Sequence, residues 1–221
     1  MRQIFTLDSV DSTNAQAKRY ALAGMGECMV IAREQTAGRG RLSRGWASAR
    51  DEGLWASLLL RPRQVRAQQA GGAVFVAALS LCEALAPFGK ARIKWPNDVV
   101  MGGKKLCGML AEAGFHGQMC DWIVLGFGVN LLQAEFDKAL PHATSLLLQT
   151  GARLAPEKLA ALFLERFEPW YERWQQDGLA PVLEGVRPLS ATLGRRVRVD
   201  GREGEALVAG DVSVRGLDGY V

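Results

Sequence analysis

The chain has 221 residues, 48% of them apolar and 23% charged, with a formal net charge of +4. That mixture excludes a wholly disordered chain, and the length admits one large domain, with or without a small appendage, whose core needs no disulfide or metal to hold it. The mild positive balance suits an anionic small molecule, an acidic protein partner or weak nucleic-acid contact, and by itself chooses none of them.

A first strand is expected around Ile4 to Leu7. Asp11 or Ser12 then caps a helix running to about Ala23, with Gly24 and Gly26 as the stop. CMVIARE, from Cys28, reads as a strand. The stretch that follows, QTAGRGRLSRGWASARDEG, has no apolar periodicity and is dense in Gly and Arg, which predicts a long functional loop. LWASLLLRP is a strand closed by Pro62, and residues from about Gln68 to Phe88 form an Ala-rich helix. Glu83 interrupts that helix, which falls short of a membrane span and reads as buried core. ARIKWPNDVVMGGKKLCGMLAEAG reads as strand, break at Pro96, strand, two-residue turn at Gly102 and Gly103, and strand. CDWIVLGFGVNLL is a central strand. An amphipathic helix starts near Pro156, with Pro169 as its point of kinking and Trp170 and Trp174 on a core face. From residue 187 onward, short strands punctuated by Gly and Asp form a small β appendage on a main domain of residues 1–186. The mixed order, with adjacent hairpins, predicts an α+β fold.

Cys28, Cys82, Cys107 and Cys120 show no C-x-x-C spacing, and the N-terminus shows no secretory leader. Both point to a cytoplasmic protein with reduced, mostly buried thiols and no membrane anchor. His116 and His142 have no metal-ligand partners at a recognisable spacing. A Walker A match fails at Lys105, where Ser or Thr is required, and a dinucleotide fingerprint fails at Leu131, where its third Gly is required.

Three clusters carry chemistry. In GRGRLSRGW, Arg39, Arg41 and Arg44 present forks that match phosphate or carboxylate oxygens, and Gly38 and Gly40 let backbone N–H groups approach the same anion. Trp46 is placed to stack on a flat base. Such a loop should be mobile until an anion arrives; a solvated basic loop and a nucleic-acid-binding module are the rival readings. In IKWPNDVVMGGKKLCG, Asn97 and Asp98 follow Pro96 where side chains leave the ladder, and Asp98 suits a Mg²⁺ contact. Strand alternation puts Lys104 and Lys105 on opposite faces, so at most one enters a site; an ordinary hairpin with exposed lysines is the rival. In DSVDSTN, Ser12, Thr13 and Asn14 sit at a helix start and suit polar recognition of a small ligand, with plain N-capping as the rival. Asn130 ends the central strand where it reaches a cleft.

These clusters in this order resemble biotin protein ligases. The matching residues are STN at 12–14, Q-x-x-G-R-G-R at 35–41, KWPND at 94–98, KKLCG at 104–108 and GFGVN at 126–130. The resemblance covers nearly the whole chain. It implies a class II synthetase-like biotin/lipoate ligase fold with an SH3-like C-terminal module, here shortened. It implies that biotin reacts with ATP, with Mg²⁺ present, to give biotinyl-5′-AMP, and that biotin then passes to a lysine of a biotin carboxyl carrier protein, an acetyl-CoA carboxylase subunit. Carried over by position, Ser12, Thr13, Asn14, Gln35, Gly38, Arg39, Gly40, Arg41, Lys105 and Gly108 resemble the biotin-binding set. Arg41, Arg44, Trp46, Asn97, Asp98, Lys105 and Asn130 resemble the ATP and adenylate set, with Asp98 as the Mg²⁺ contact. Lys105 resembles the main catalytic charge, assisted by Arg39 and Arg41. Ser43 departs from the Gly common in family loops, and LVAGDVSVRG resembles a trimmed closing strand pair. With the first strand starting almost at Met1, no operator-binding winged helix is expected, and the resemblance allows a monomer or a homodimer. A lipoate or octanoate ligase or transferase of the same superfamily is the near alternative.

Overall fold

The computed structural model describes residues 2–41, 44–199 and 202–205. The expected departure at Ser43 and the closing strand pair of the C-terminal module lie outside the described residues. The period-two apolar runs become the strands of a seven-stranded mixed sheet in the order β1-β2-β3-β7-β6-β5-β4. The strands are β1 (Gln3–Val10), β2 (Cys28–Gln35), β3 (Gly53–Leu60), β4 (Ala91–Lys94), β5 (Asp98–Met101), β6 (Lys104–His116) and β7 (Met119–Asn130). β1 pairs with β2 in parallel, and the other pairings are antiparallel. α1 (Thr13–Leu22) makes the crossover that a parallel pair requires.

One face of the sheet is covered over its central strands. α2 (Gly72–Leu85) lies on it, buried around most of its circumference, which accounts for its Ala-rich composition: small side chains let it pack between the sheet and α4 (Pro156–Asp177). The apolar run Ala67–Leu85 is therefore core rather than surface. α4 continues through Pro169, which removes one backbone donor without ending the helix. Its inner stripe is an aromatic ladder. Phe163 lies 4.7 Å from Phe127 of β7 and 5.3 Å from Phe167, and Tyr171 and Trp174 continue the row. Burial of such rings contributes about 2–3 kcal/mol each. Trp174 is in the core as expected, while Trp170 is half-buried and donates to Glu83.

The opposite face is covered only in part. α1 packs Ala17 and Ala21 on Val30, Leu59, Trp122 and Val124. The remainder of that face, at the far ends of β3, β6 and β7, is left open.

Two short helices were too short for periodicity to reveal: α3 (Leu146–Thr150), capped by Ser145, and α5 (Ala180–Val186). Residues 187–189, expected to open the β appendage, form a 3-10 turn instead. The chain then runs along β4, where Ala191 N–H donates to Ile93 and Trp95 N–H donates to Thr192 Oγ1, so the β4 edge is covered. The expected paired strands begin later, as β8 (Arg196–Val199) and β9 (Arg202–Glu205). The four cysteines are free and buried, and burial raises the thiols of Cys82 to about 12 and Cys120 to about 11, so they stay protonated.

Arg2 ties the strand layer to α4. Its side chain is 4% exposed, it forks onto Glu168 at 2.8 and 3.0 Å, and it pairs with Glu27 at 3.1 Å. Tyr171 donates to the same Glu27. Removing one partner of a buried pair costs about 3–5 kcal/mol, and here solvent reaches both carboxylates. Arg2→Ala is expected to lower unfolding stability by about 2 kcal/mol in urea titrations; a change below about 0.5 kcal/mol would class the cluster with surface ion pairs.

Candidate active site

The open face of the sheet carries glycine where it would otherwise carry side chains. Gly126 and Gly128 of β7 point to it, and Gly108 of β6 is paired with Gly128. On these bare positions other elements lay their side chains. A Cβ at Gly126 would overlap Asn14 Oδ1, and one at Gly128 would overlap the Trp46 indole. A Cβ at Gly108 would stand 2.9 Å from Trp46 and 3.1 Å from Lys105. The result is a cleft of about 660 Å³ over the glycine floor, the size of a small-molecule site.

The loop of residues 36–52 closes one side. Its ends are fixed by Thr36 N–H to Val10, Gln35 N–H to Ser48 and Asp51 N–H to Arg33. Between them it folds back on itself: Trp46 N–H donates to Gly38 and Gly40 N–H to Arg44. This small hairpin aims Arg39, Arg41 and Arg44 at the cleft. Arg41 donates to Asn97 Oδ1 at 3.1 Å, and Asn97 in turn donates to the Met109 carbonyl. Among the described residues none of the three arginines makes an ion pair.

Lys105 enters the cleft because of a register shift. It lies three positions before Gly108, so an unbroken ladder would put the two on opposite faces. Asp98 pairs with Gly108 and Val99 with Cys107, but Val100 pairs with Lys105, and this bulge returns Lys105 to the face of Gly108. Lys104 stays exposed. Lys105 Nζ lies 2.8 Å from Asp98 Oδ1 and 5.3 Å from the Trp46 ring centroid. Asp98 is thus already engaged, and among the described residues no three metal-ligating side chains cluster. A magnesium ion at Asp98 would have to share or displace Lys105, so the side chains present do not form a dedicated metal cage.

The opposite end of the cleft is neutral and polar. Thr13 backbone N–H and Oγ1 both reach Gln35 Oε1, at 2.8 and 3.0 Å, and Gln35 Nε2 donates to Ser48 at 2.7 Å. Asn14 lies beside them on Gly126.

Thr13, Asn14, Gln35, Arg39, Gly40, Arg41, Arg44, Trp46, Asn97, Asp98, Lys105, Gly108 and Asn130 all line this cleft. Two expected residues stand behind it. Ser12 is buried at the start of α1, and Gly38 is packed against the Trp46 carbonyl and Ser48, where a Cβ would not fit. Sequence reasoning missed the wall made by residues 133–143, including Gln133, Phe136 and Leu140. That segment is bound to the site through Lys105 N–H to His142 and Thr144 N–H to Lys105, while Asn130 donates to Thr144. Its one legible sign is a long non-periodic stretch before Pro156.

The biotin/lipoate A/B protein ligase family model matches residues 7–130. A biotin–[acetyl-CoA-carboxylase] ligase of Paracoccus denitrificans is 38% identical over 203 residues, covering 86% of this chain and 82% of that protein. The ligase of the same name from Mycobacterium tuberculosis is 33% identical over 214 residues, covering 94% of this chain and 78% of the relative. Among solved structures, a biotin protein ligase from Aquifex aeolicus in complex with biotin and ATP aligns with a TM-score of 0.85 and 26% identity, over 100% of this chain and 95% of that one.

The glycine floor makes a direct prediction. Gly128→Ala is expected to displace the Trp46 indole and loosen the arginine hairpin, accelerating limited trypsin cleavage after Arg39, Arg41 and Arg44. Unchanged cleavage would show that the indole does not anchor the hairpin.

Proposed function

The chain belongs to the biotin/lipoate A/B protein ligase family, and we propose that it joins biotin to ATP as biotinyl-5′-AMP and then transfers biotin to a lysine of a biotin carboxyl carrier protein. The observation that carries this reading is one cleft with two chemically distinct ends: a neutral hydrogen-bonding end at Thr13 and Gln35, and a cationic end at Lys105 and the arginine hairpin. A bicyclic urea with a carboxylate tail has the same division. A purely apolar lipoyl or octanoyl head would leave the neutral end unpaired. The arginines converge with Lys105 on one cleft of about 660 Å³, which favours a small anion over a nucleic-acid strand.

In the first half-reaction the biotin carboxylate attacks the α-phosphorus of ATP. A carbon–oxygen–phosphorus anhydride forms, and the bond to pyrophosphate breaks. Both reactants are anionic, and negative charge collects on the α-phosphate oxygens in the transition state. Lys105 stands where the two would meet, and Arg39, Arg41 and Arg44 add donors from the lid side. Lys105 must exchange Asp98 for substrate oxygens, so Asp98 holds the ammonium in place until then. A magnesium ion carried by ATP would supply charge neutralisation at the phosphates, and Asp98 is the carboxylate that could share it with Lys105. Trp46, packed over Gly108 and Gly128, would offer its ring to adenine. In the second half-reaction the acceptor lysine, as the free amine, attacks the anhydride carbonyl. The amide forms and AMP leaves. The arginine hairpin limits water access between the two steps.

ATP–pyrophosphate exchange is expected to depend on biotin. Exchange that ignores biotin, or is absent with it, would overturn the reading. Lys105→Ala is expected to lower that exchange at least about 100-fold with little change in melting temperature, and near-normal exchange would remove Lys105 from the chemistry. Arg41→Ala is expected to release biotinyl-AMP into solution faster than the unsubstituted chain, measured by trapping the labelled adenylate; equal leakage would deny the hairpin its protective role.

A further inference from the structure

Both walls of the cleft hang from one turn, residues 49–52. On one side the turn ends the arginine hairpin: Gln35 N–H donates to the Ser48 carbonyl, and the Trp55 indole N–H donates to the Ala49 carbonyl at 3.0 Å. On the other side the Glu52 carbonyl accepts from Leu131 N–H at 3.1 Å and from Leu132 N–H at 2.8 Å. Those two residues lead directly into the wall of residues 133–143, and the Leu131 carbonyl accepts from Leu147 N–H in α3.

The backbone of this turn needs holding. Asp51 has a φ of 59°, in the left-handed region that side-chain-bearing residues other than Asn and Asp seldom adopt. Arg33 of β2 holds it from the outer surface. The Arg33 carbonyl accepts from Asp51 N–H at 2.9 Å. Its guanidinium forks onto the Asp51 carboxylate, Nε to Oδ1 at 2.7 Å and Nη2 to Oδ2 at 2.6 Å. Arg33 Nη1 lies 3.5 Å from Asp8 of β1. Asp8 also pairs with Arg50, whose Nη1 lies 3.3 Å from Glu34. An isolated exposed ion pair holds little, but a bidentate fork within a network of charges fixes geometry. The hydrogen bonds from Arg33 keep the Asp51 carboxyl below the ordinary carboxylate range, so the fork stays ionised at neutral pH. Neither Arg33 nor Asp51 lines the cleft.

We propose that Arg33 and Asp51 are positioning residues for the reaction: they fix the 49–52 turn from outside and, through it, set both the arginine hairpin and the 133–143 wall over the substrates. Because one turn carries both walls, loss of the fork opens them together. The part in the reaction rests on the biotin–ATP reading above; the shared pinning of the two walls does not.

The test uses Asp51→Gly and Arg33→Gln, which break the fork from its two ends. Glycine adopts a positive φ freely, so Asp51→Gly removes the carboxylate without adding backbone strain. Arg33→Gln carries the test if Asp51→Gly does not fold. Limited trypsin digestion read by mass spectrometry reports each wall separately: Arg39, Arg41 and Arg44 lie in the hairpin, Lys138 lies in the other wall, and Arg166 in α4 reports global unfolding. Cleavage at the hairpin sites and at Lys138 is expected to rise in parallel by about fivefold, following the open population. Cleavage at Arg166 should not change, and the melting temperature should stay within about 3 °C. The double variant should be cut no faster than either single one, because each removes the same fork. Biotinyl-AMP escapes through the same opening, so its release should quicken by about the same fivefold, while the single-turnover rate of adenylate formation stays within about twofold. Unchanged cleavage, a hairpin that loosens while Lys138 stays protected, or additive effects of the two substitutions would overturn the inference. So would faster cleavage at Arg166 with a falling melting temperature, the signature of a merely structural role. Walls that open together with no change in adenylate release would deny the pair its part in the reaction. If the unsubstituted chain forms no adenylate with biotin, the functional reading falls and the part in the reaction with it, and the digestion still decides whether one fork pins both walls.

Discussion

The site depends on a sheet left bare at a few positions. A central strand is normally stabilised by side chains on both faces, and glycine weakens it. Here Gly108, Gly126 and Gly128 give up that packing on one face so that Asn14, Trp46 and Lys105, which come from three separate segments, can approach the backbone. Each glycine is matched to the group above it. The sheet tolerates the loss because its other face carries the main core, with α2 packed directly against it and the aromatic ladder of α4 reaching Phe127 of β7. Burial is concentrated on one side so that recognition can occupy the other.

The same constraint explains why the two ends of the cleft differ. Residues 126 and 128 are neighbours on one face of β7, roughly 7 Å apart at the usual strand rise. Asn14 covers the first and Trp46 the second. The first therefore belongs to α1 and its buried hydroxyl network, and the second to the arginine hairpin. A ligand lying along β7 passes from a neutral hydrogen-bonding surface to a cationic one within the length of a short acyl chain. Strand spacing sets that distance, so mobile side chains do not have to.

Much of this was legible in the sequence. Period-two runs located the strands, the Gly-rich arginine stretch marked a long loop, and Pro96 marked the break between β4 and β5, although Asp98, expected at that break, is the first residue of β5 and is paired on both sides. The expected α+β sheet is present. What remained hidden is non-local. Alternation said that only one of Lys104 and Lys105 enters the site, but it cannot show a bulge, and the bulge is what brings Lys105 level with Gly108. Ser57 reads as one more residue of an apolar strand, and its hydrogen bonds to Asn14 and Thr13 arise only in the fold. Ser12 belonged to the same motif as Thr13 yet serves the helix start, because adjacent residues at a helix start point in different directions. The wall of residues 133–143 has no periodicity to betray it and is placed by backbone bonds to Lys105.

Lys105 shows how these parts constrain each other. A catalytic ammonium must be charged, oriented and yet available to substrate. Asp98 keeps it oriented at 2.8 Å, but a carboxylate that bound it too well would compete with the reacting oxygens. The Lys105 and Asp98 side chains are 36% and 21% exposed, so solvent screens the pair in part and lowers the cost of the exchange. As the arginine hairpin and a triphosphate fill the cleft, that screening falls, and every charge–charge interaction there strengthens. The gain goes to whichever anion faces more cations at once. Asp98 faces Lys105, whereas a phosphate between Lys105 and the hairpin faces several donors. On the proposed reading, the exchange would run toward substrate only once the hairpin is in place, which would make loop closure a condition of the chemistry as well as a shield for its product.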